Sequence, residues 1–520
     1  MTRTLHYPLP AEMTPEQVLH VVGEHLSLAK PTVATETWMY YDTFDWRLHN
    51  TDGILLTRPG RRRDTTELLW LTNGEVSRRI RLDGTMPAFA RDLPASAFRD
   101  ALLSITDVRC LVPVIRVERR IHTAAMLNKD AKTTARLSIV ERYADEPTRR
   151  TDRHTLTPVV EVEPLRGYDA EAKKLEKTLA KRLDLEPGED GQLSEALAAC
   201  GRRSGDYTSK VVVDLTPDEP AEQASRAIHR ALLTQLLRNE PGVRDDLDPE
   251  FLHDFRVATR RTRSALSQIK GVYPVAVTNR FKDEFRWLQQ LTNRARDLDV
   301  LREDLRRDLE LLPAGDAAEL LTLDTFLAEE RQKEQTVILD GLDSARWRDL
   351  VHDWRLFLDS ETGEPPPDAP HAGRPMAEVA AERLKKLGAR VRKDALAIQP
   401  DSPPEVLHAL RIDGKKLRYL LEFFRTLLSK DATRLVKRMK TVQDALGDWH
   451  DAEQQQIALR HAADSMAQRG DIPVGTLLAL GRLLARLDER WAAERKRVDD
   501  VIGTLVDAID DDRIAKLVRR

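Results

Sequence analysis

HDFRVATRRTR, residues 253–263, returns as HALRIDGKKLR at residues 408–418, with every cationic position kept at an offset of 155. His253, Arg256, Arg260, Arg261 and Arg263 map onto His408, Arg411, Lys415, Lys416 and Arg418. At about 100° per helical residue, the histidine, the first arginine, the first of the paired bases and the last arginine share an arc of roughly 80°, flanked by the second paired base. Phe255, Ala258 and Leu266 in the first copy, and Leu410, Leu417 and Leu421 in the second, lie on the opposite side. Each segment therefore reads as an amphipathic helix whose polar stripe is almost purely cationic. A solvated helix face ordinarily mixes both signs, because opposite charges at i,i+4 attract and like charges repel. Here the only acids, Asp254 and Asp413, sit off the stripe, and the pattern occurs twice. A polyanion is the ligand such a stripe fits.

The duplication extends further. RWLQQLTNRARDLDVL (286–301) corresponds to KTVQDALGDWHDAEQQ (440–455), pairing Arg286 with Lys440, Gln289 with Gln443, Arg296 with His450 and Asp297 with Asp451. The 3.6-residue period runs from Ala224 onward, broken by turn signals at 239–250, 312–316, 361–375 and 399–404. Two halves, about 223–360 and 375–518, built on one plan predict two similar helical bundles related by an approximate two-fold axis. If both stripes face that axis they line one groove, to which Arg286, Arg296, Lys437 and Lys440 are further candidate contributors.

The rest of the chain bounds the alternatives. With 520 residues, two or three domains are expected. Lys plus Arg (83) nearly balances Asp plus Glu (86), so the net charge of −3 excludes a globally basic nucleic-acid coat and leaves local charge segregation as the route to a polyanion. Two cysteines, Cys110 and Cys200, make neither a disulfide framework nor a CxxC metal motif. No apolar run reaches the ~20 residues of a membrane span, and MTRTLHYPLP lacks a signal-peptide core, so a cytoplasmic protein is expected.

Residues 1–200 differ in texture. Strand-like runs at Glu67–Thr72, Ser77–Leu82, Leu111–His122, Ala135–Arg142 and Pro158–Pro164 alternate with turn signals, and helices are predicted at Pro15–Leu28 and Ala170–Leu183. Glu161 and Glu163 share one strand face, compatible with a polar barrel lumen or with the solvent side of an antiparallel sheet. The stretch 201–222 reads as a linker in which VVVDL could dock as a short strand. The expected fold class is thus α+β, an N-terminal antiparallel β-barrel or tunnel followed by an all-α region.

The repeated HxxRxxxRRxR helix and the LQxxLGxxxD-type segment after it resemble the CHAD domain (conserved histidine α-helical domain) from about Ala224 to the C-terminal end. The resemblance implies two four-helix bundles with pseudo-two-fold symmetry and binding of inorganic polyphosphate, with His253, Arg256, Arg260, Arg261, Arg263, His408, Arg411, Lys415, Lys416 and Arg418 as the carried-over residues. Association with polyphosphate granules would follow from that ligand. The sequence departs from the pattern at Thr292-Asn293, where the second copy has Leu446-Gly447; this bears on local packing.

The N-terminal region is similar to a CYTH domain, on the stretches YYDTFDWRL (40–48), GILLTRPG (53–60), VIRVERR (114–120) and VVEVEPL (159–165). That resemblance implies an eight-stranded tunnel holding triphosphate by Lys and Arg and metal by Glu. The family's ExExK strand corresponds here to TLHYPLP, with no acid and no lysine, and a second expected lysine is Asn73. Arg58, Arg116, Arg120, Glu161 and Glu163 remain as candidate lumen groups, with Glu161 and Glu163 able to pair with Arg116 and Arg120.

Phosphoryl hydrolysis in such a tunnel needs divalent metal to bridge phosphate oxygens. Without the first carboxylate pair, no catalytic residue and no cofactor is assigned; Mg or Mn enters only if the tunnel is active. The favoured reading is a polyphosphate-binding protein with an inactive CYTH-like domain. Two alternatives stay open: a metal-dependent triphosphatase or polyphosphate-processing enzyme that uses the helical domain to hold substrate, and a basic scaffold for nucleic acid or an acidic protein. Nucleic acid is disfavoured because the stripes carry no stacking aromatic other than Tyr419. For the histidines, packing, phosphate contact and, least of all, metal ligation are the three readings. Oligomeric state is not legible.

Overall fold

The computed structural model describes residues 4–508 except 61, 63–64, 148–151, 189–190, 362, 365, 400 and 471, together with 517–518. The turn signals at 361–375 and 399–404 therefore include positions outside the described residues, as does the end of the second repeat at 509–516. The chain divides into two compact units, Met1–Thr208 and Ser209–Arg520.

The first unit is built on one sheet. Its strands are β1 (Leu5–Pro8), β2 (Thr32–Asp42), β3 (Gly53–Pro59), β4 (Thr65–Thr72), β5 (Glu75–Asp83), β6 (Val112–Leu127), β7 (Thr133–Asp145) and β8 (His154–Pro164). All neighbours are antiparallel, in the order β1-β8-β7-β6-β2-β3-β4-β5, with β1 and β5 at the edges. Helices α1 (Pro15–Gly23) and α3 (Asp169–Leu183) bury Leu137, Ile139, Val160 and Val162, while α2 (Ala97–Thr106) covers Leu55, Leu68 and Trp70. A fourth helix, α4 (Gln192–Ala199), packs against Tyr40, Leu56, Leu69 and Ile115. The turn between β4 and β5 explains Asn73: it and Gly74 have φ of 53° and 75°, the two left-handed positions that a tight hairpin reserves for Asn-Gly.

The second unit is helical. Its first repeat comprises α5 (Ala221–Arg244), α6 (Pro249–Gln268), α7 (Val275–Leu291), α8 (Asn293–Leu309), α9 (Ala314–Asp343) and α10 (Ala345–Asp359). The second comprises α11 (Met376–Leu396), α12 (Pro404–Phe423), α13 (Asp431–Arg469) and α14 (Val474–Ala508). No helix among the described residues is long and apolar enough to cross a membrane.

Backbone hydrogen bonds express the internal symmetry. The Ala221 N–H donates to the Arg374 carbonyl and the Met376 N–H to that of Glu219, both at 2.9 Å. The Glu222 N–H donates to Ala372 and the Ala377 N–H to Pro217, both at 3.0 Å. Each pair is the other shifted by 155, the offset of the cationic motif, so an approximate two-fold axis passes between the starts of α5 and α11. The VVVDL segment forms no strand. Instead the Leu215 N–H donates to Thr426 Oγ1 and that hydroxyl donates to the Val213 carbonyl, each at 3.1 Å.

The start of α6 is fixed chemically. Asp248 caps it by accepting the Glu250 N–H at 2.9 Å, with Pro249 pre-set in the first turn. At the end of α5 the Phe251 ring lies where a Cβ on Gly242 would come within 2.1 Å, so only glycine lets these helices approach.

Candidate functional site

The two cationic helices of the second unit, α6 and α12, pack on each other, and their polar stripes meet. Arg260 Nε donates to the Tyr419 hydroxyl at 3.0 Å, crossing from the first repeat to the second. Arg261 and Arg418, one from each repeat, place their guanidinium carbons 5.5 and 5.2 Å from the centroid of the same Tyr419 ring. Tyr419, 3% exposed, is therefore the joint of the cluster.

The cations differ in how they are matched. Arg261 donates to Glu422 Oε2 at 2.6 Å and Arg418 to Glu422 Oε1 at 2.8 Å. Lys416 is drawn to Asp413 at 2.7 Å, and Arg411 lies 3.5 Å from Asp451. Four others form no ion pair among the described residues. Arg256 donates to the Gln289 carbonyl at 3.1 Å and to Thr292 Oγ1 at 2.9 Å. Arg263 donates to Gln289 Oε1, as its counterpart Arg418 does to Gln443 Oε1. Among the described residues Arg260 has only the neutral Tyr419 hydroxyl, and Lys415 makes no hydrogen bond.

Electrostatics follow from this crowding. Burial, with Arg411 and Arg260 alongside, pulls the Lys415 ammonium down to about 8. Burial and the positive charge of Arg411, His408 and Lys415 hold His450 at about 4, so its imidazole is neutral at pH 7. At an effective dielectric of ~20, two like charges ~8 Å apart repel by about 2 kcal/mol. A cluster left in this state gains free energy from any anion that spans it.

The remaining candidates fall in different places. His408 lies beside His450 with ring centroids 4.9 Å apart and planes tilted by 50°, whereas Arg296, the counterpart of His450, donates to the Pro249 carbonyl at 3.2 Å and lies 3.6 Å from Glu250, tying α8 to the start of α6. His253 is half-buried on α6. Arg286 donates to Asp283 at 2.7 Å and borders the cluster through its repulsion of Arg263. Lys437 and Lys440 are exposed on α13. Both off-stripe acids are buried, and Asp413 also holds Arg390 at 2.7 Å.

One sequence departure matters more than expected. Thr292 separates α7 from α8, while α13 runs unbroken through Leu446-Gly447. Its hydroxyl accepts from Arg256, so the Thr-Asn departure bears on the charge as well as on packing. Sequence reading missed Glu422 entirely. The available signal was its place four residues after Arg418, where the first copy has Ser267.

In the first unit, the lumen assignments need correction. Arg116 and Arg120 point away from Glu161: Arg116 pairs with Asp145 at 2.9 Å and Arg120 lies 3.7 Å from Glu141. Strand alternation puts their neighbour Arg119 on the face of Glu161. Arg119, 3% exposed, donates to Glu36 at 3.2 Å and to Glu161, with its guanidinium 3.9 Å from the Trp38 ring centroid. Glu163 pairs with Arg136 at 2.9 Å, and Arg58 with Glu67 at 3.0 Å. The YYDTFDWRL stretch is a built turn: Asp42 accepts the N–H groups of Thr43, Leu48 and His49 at 2.7–3.0 Å, and burial lifts its carboxyl to about 6.

These residues do not fit the divalent metal that a tunnel fold implies. Arg119 donates to Oε1 of both Glu36 and Glu161, placing a buried cation between the two carboxylates, and no group of three metal-ligating side chains occurs among the described residues. Helix α4 also occupies this face, with Gln192 Nε2 donating to the Tyr40 hydroxyl at 2.7 Å and Arg142 to Glu195 at 2.7 Å.

A helical unit with a duplicated basic helix at its two-fold is the arrangement that a family model recognises: residues 227–460 match the model described as the CHAD domain. This part of the chain is a CHAD domain. An uncharacterized protein of Mycobacterium tuberculosis is 28% identical over 295 residues, covering 54% of this chain and 53% of its own. The chain thus spans about half the length of the curated relatives it matches. Among solved structures, the CHAD domain from the plant Ricinus communis is 27% identical with a TM-score of 0.48, covering 57% of this chain and 96% of that one. A Hippeastrum protein described as revealing a dominant triphosphatase activity is 14% identical with a TM-score of 0.25, covering 39% of this chain and 97% of that one.

Proposed function

We propose that the helical unit binds inorganic polyphosphate along the joined stripes of α6 and α12, and that the first unit contributes no metal-dependent hydrolysis of triphosphate. One observation carries the first part: Arg256, Arg260, Arg263 and Lys415 converge with no carboxylate at ion-pair distance among the described residues. Guanidinium groups grip two phosphate oxygens at once while the ammonium acts as a point charge, which suits a flexible chain carrying charge on every unit. The internal pairing of Arg119 with both glutamates supports the second part, because a divalent cation there would have to displace a buried guanidinium.

Nucleic acid fits less well. Single strands are held by bases stacking on aromatic faces in addition to phosphate contacts. The one aromatic in the cluster, Tyr419, is buried with its hydroxyl engaged, so no platform is offered. Titrating the full chain with polyphosphate and with single-stranded RNA of matched charge tests this. Polyphosphate is expected to bind more tightly, and equal or tighter RNA binding would overturn the assignment.

A further inference from the structure

The repeats differ at one position inside the cluster. Glu422 stands where the offset of 155 places Ser267 in the first copy. Its two oxygens are taken by two guanidiniums of different repeats, Arg261 at 2.6 Å and Arg418 at 2.8 Å. The carboxylate is partly open to solvent, at 26% exposure, and Arg261 keeps a buried Nε with no acceptor. Two oxygens of one anion bridging two guanidinium forks is also the geometry that two non-bridging oxygens of a phosphate would adopt.

We propose that Glu422 is a resident counter-anion of the cluster, which an incoming polyphosphate must outcompete for Arg261 and Arg418, and which thereby sets the affinity and charge threshold of the site. The inference rests on the polyphosphate reading. A short anion of low charge gains too little to displace the carboxylate. A long chain, already anchored on Arg256, Arg260, Arg263 and Lys415, meets the bridge at high effective concentration and takes its place. The asymmetry then has a function: one half of the site is open and the other is guarded.

Titration of the full chain and its variants with long-chain polyphosphate and with tripolyphosphate, at one fixed low salt concentration, tests this. Glu422→Gln removes the charge while keeping the shape, and should tighten polyphosphate binding by about tenfold, the equivalent of one charge-assisted contact. The gain for tripolyphosphate should be larger still. Asp343→Asn, which removes an equal charge from the exposed Arg244 pair at the end of α9, should change affinity less than about twofold. Ser267→Glu, which installs a carboxylate at the matching position without removing any contact, should weaken binding. A Glu422→Gln variant that binds no better than Asp343→Asn, or a Ser267→Glu variant that binds as tightly as the unaltered chain, refutes the guard. Failure of the unaltered chain to bind polyphosphate at all refutes the underlying reading instead.

Discussion

Arg260 and Tyr419 lie 159 residues apart in sequence and share a 3.0 Å hydrogen bond that joins the two repeats at the centre of their charge. The bond gives a buried hydroxyl its partner and fixes the guanidinium without neutralising it. A carboxylate at position 419 would have done the first task and cancelled the site. A phenol leaves the arginine fully charged toward an approaching ligand.

Tyr419→Phe should therefore lower stability by about 1–2 kcal/mol, the cost of one lost buried hydrogen bond, without removing the charge cluster. The urea midpoint should fall with the slope unchanged. An unchanged midpoint would show that the bond contributes nothing to joining the repeats.

Lys415 gives a pH dependence of defined sign. Its folded-state value of about 8 lies below the ordinary lysine value of 10.5, so unfolding takes up a proton between those limits. From this group, stability of the ligand-free protein rises as pH increases from about 8 towards 10.5. Polyphosphate favours the charged ammonium, so its affinity should fall over the same rise in pH and its binding near pH 8 should be accompanied by proton uptake. Calorimetric titration in two buffers of different ionisation enthalpy measures that uptake, and Lys415→Met should reduce it.

Arg119 is the counter-ion of the first unit's sheet. Arg119→Ala leaves Glu36 and Glu161 facing each other on a largely buried face and should cost about 3 kcal/mol. Adding Glu36→Gln and Glu161→Gln should restore part of that loss, as a thermal melt of each variant would record. The intact chain should release no phosphate from tripolyphosphate with Mg²⁺ or Mn²⁺ above background; sustained release that Glu161→Gln abolishes would refute the assignment.

Gly242→Ala opposes two effects of known size. Alanine favours the helix by about 1 kcal/mol, but a Cβ would sit 2.1 Å from the Phe251 ring at the capped start of α6. Overpacking of this kind costs about 1–3 kcal/mol, so a net loss is expected in denaturant titration. A gain would mean that the α5–α6 approach is loose.

The helical half was legible because its signal was duplicated. A constant offset fixed the repeat, and the purity of the stripe singled out the residues that meet at the two-fold. What escaped was the partner chemistry. The contacts of Glu422 with Arg261 and of Tyr419 with Arg260 arise through packing of α12 on α6, which no helical periodicity reports. In the first unit the glutamates were found but their partners were misassigned by one strand position. Arg116, Arg119 and Arg120 are separated in sequence by three or fewer residues, and alternation sends Arg119 to the opposite face from the other two. Thr292 was read as a packing detail because a helix break and its hydrogen bond to Arg256 are tertiary facts.

The central claim concerns unmatched positive charge, and one titration addresses it. Polyphosphate binding to the full chain and to the combined variant Arg256→Ala, Arg260→Ala, Arg411→Ala, Lys415→Ala is measured at two salt concentrations, with circular dichroism verifying that both are folded. The unaltered chain should bind with an affinity that falls steeply as salt rises, through release of condensed counter-ions, and the folded variant should not bind. Undiminished binding by the variant, or binding by the unaltered chain that is indifferent to salt, would contradict the account.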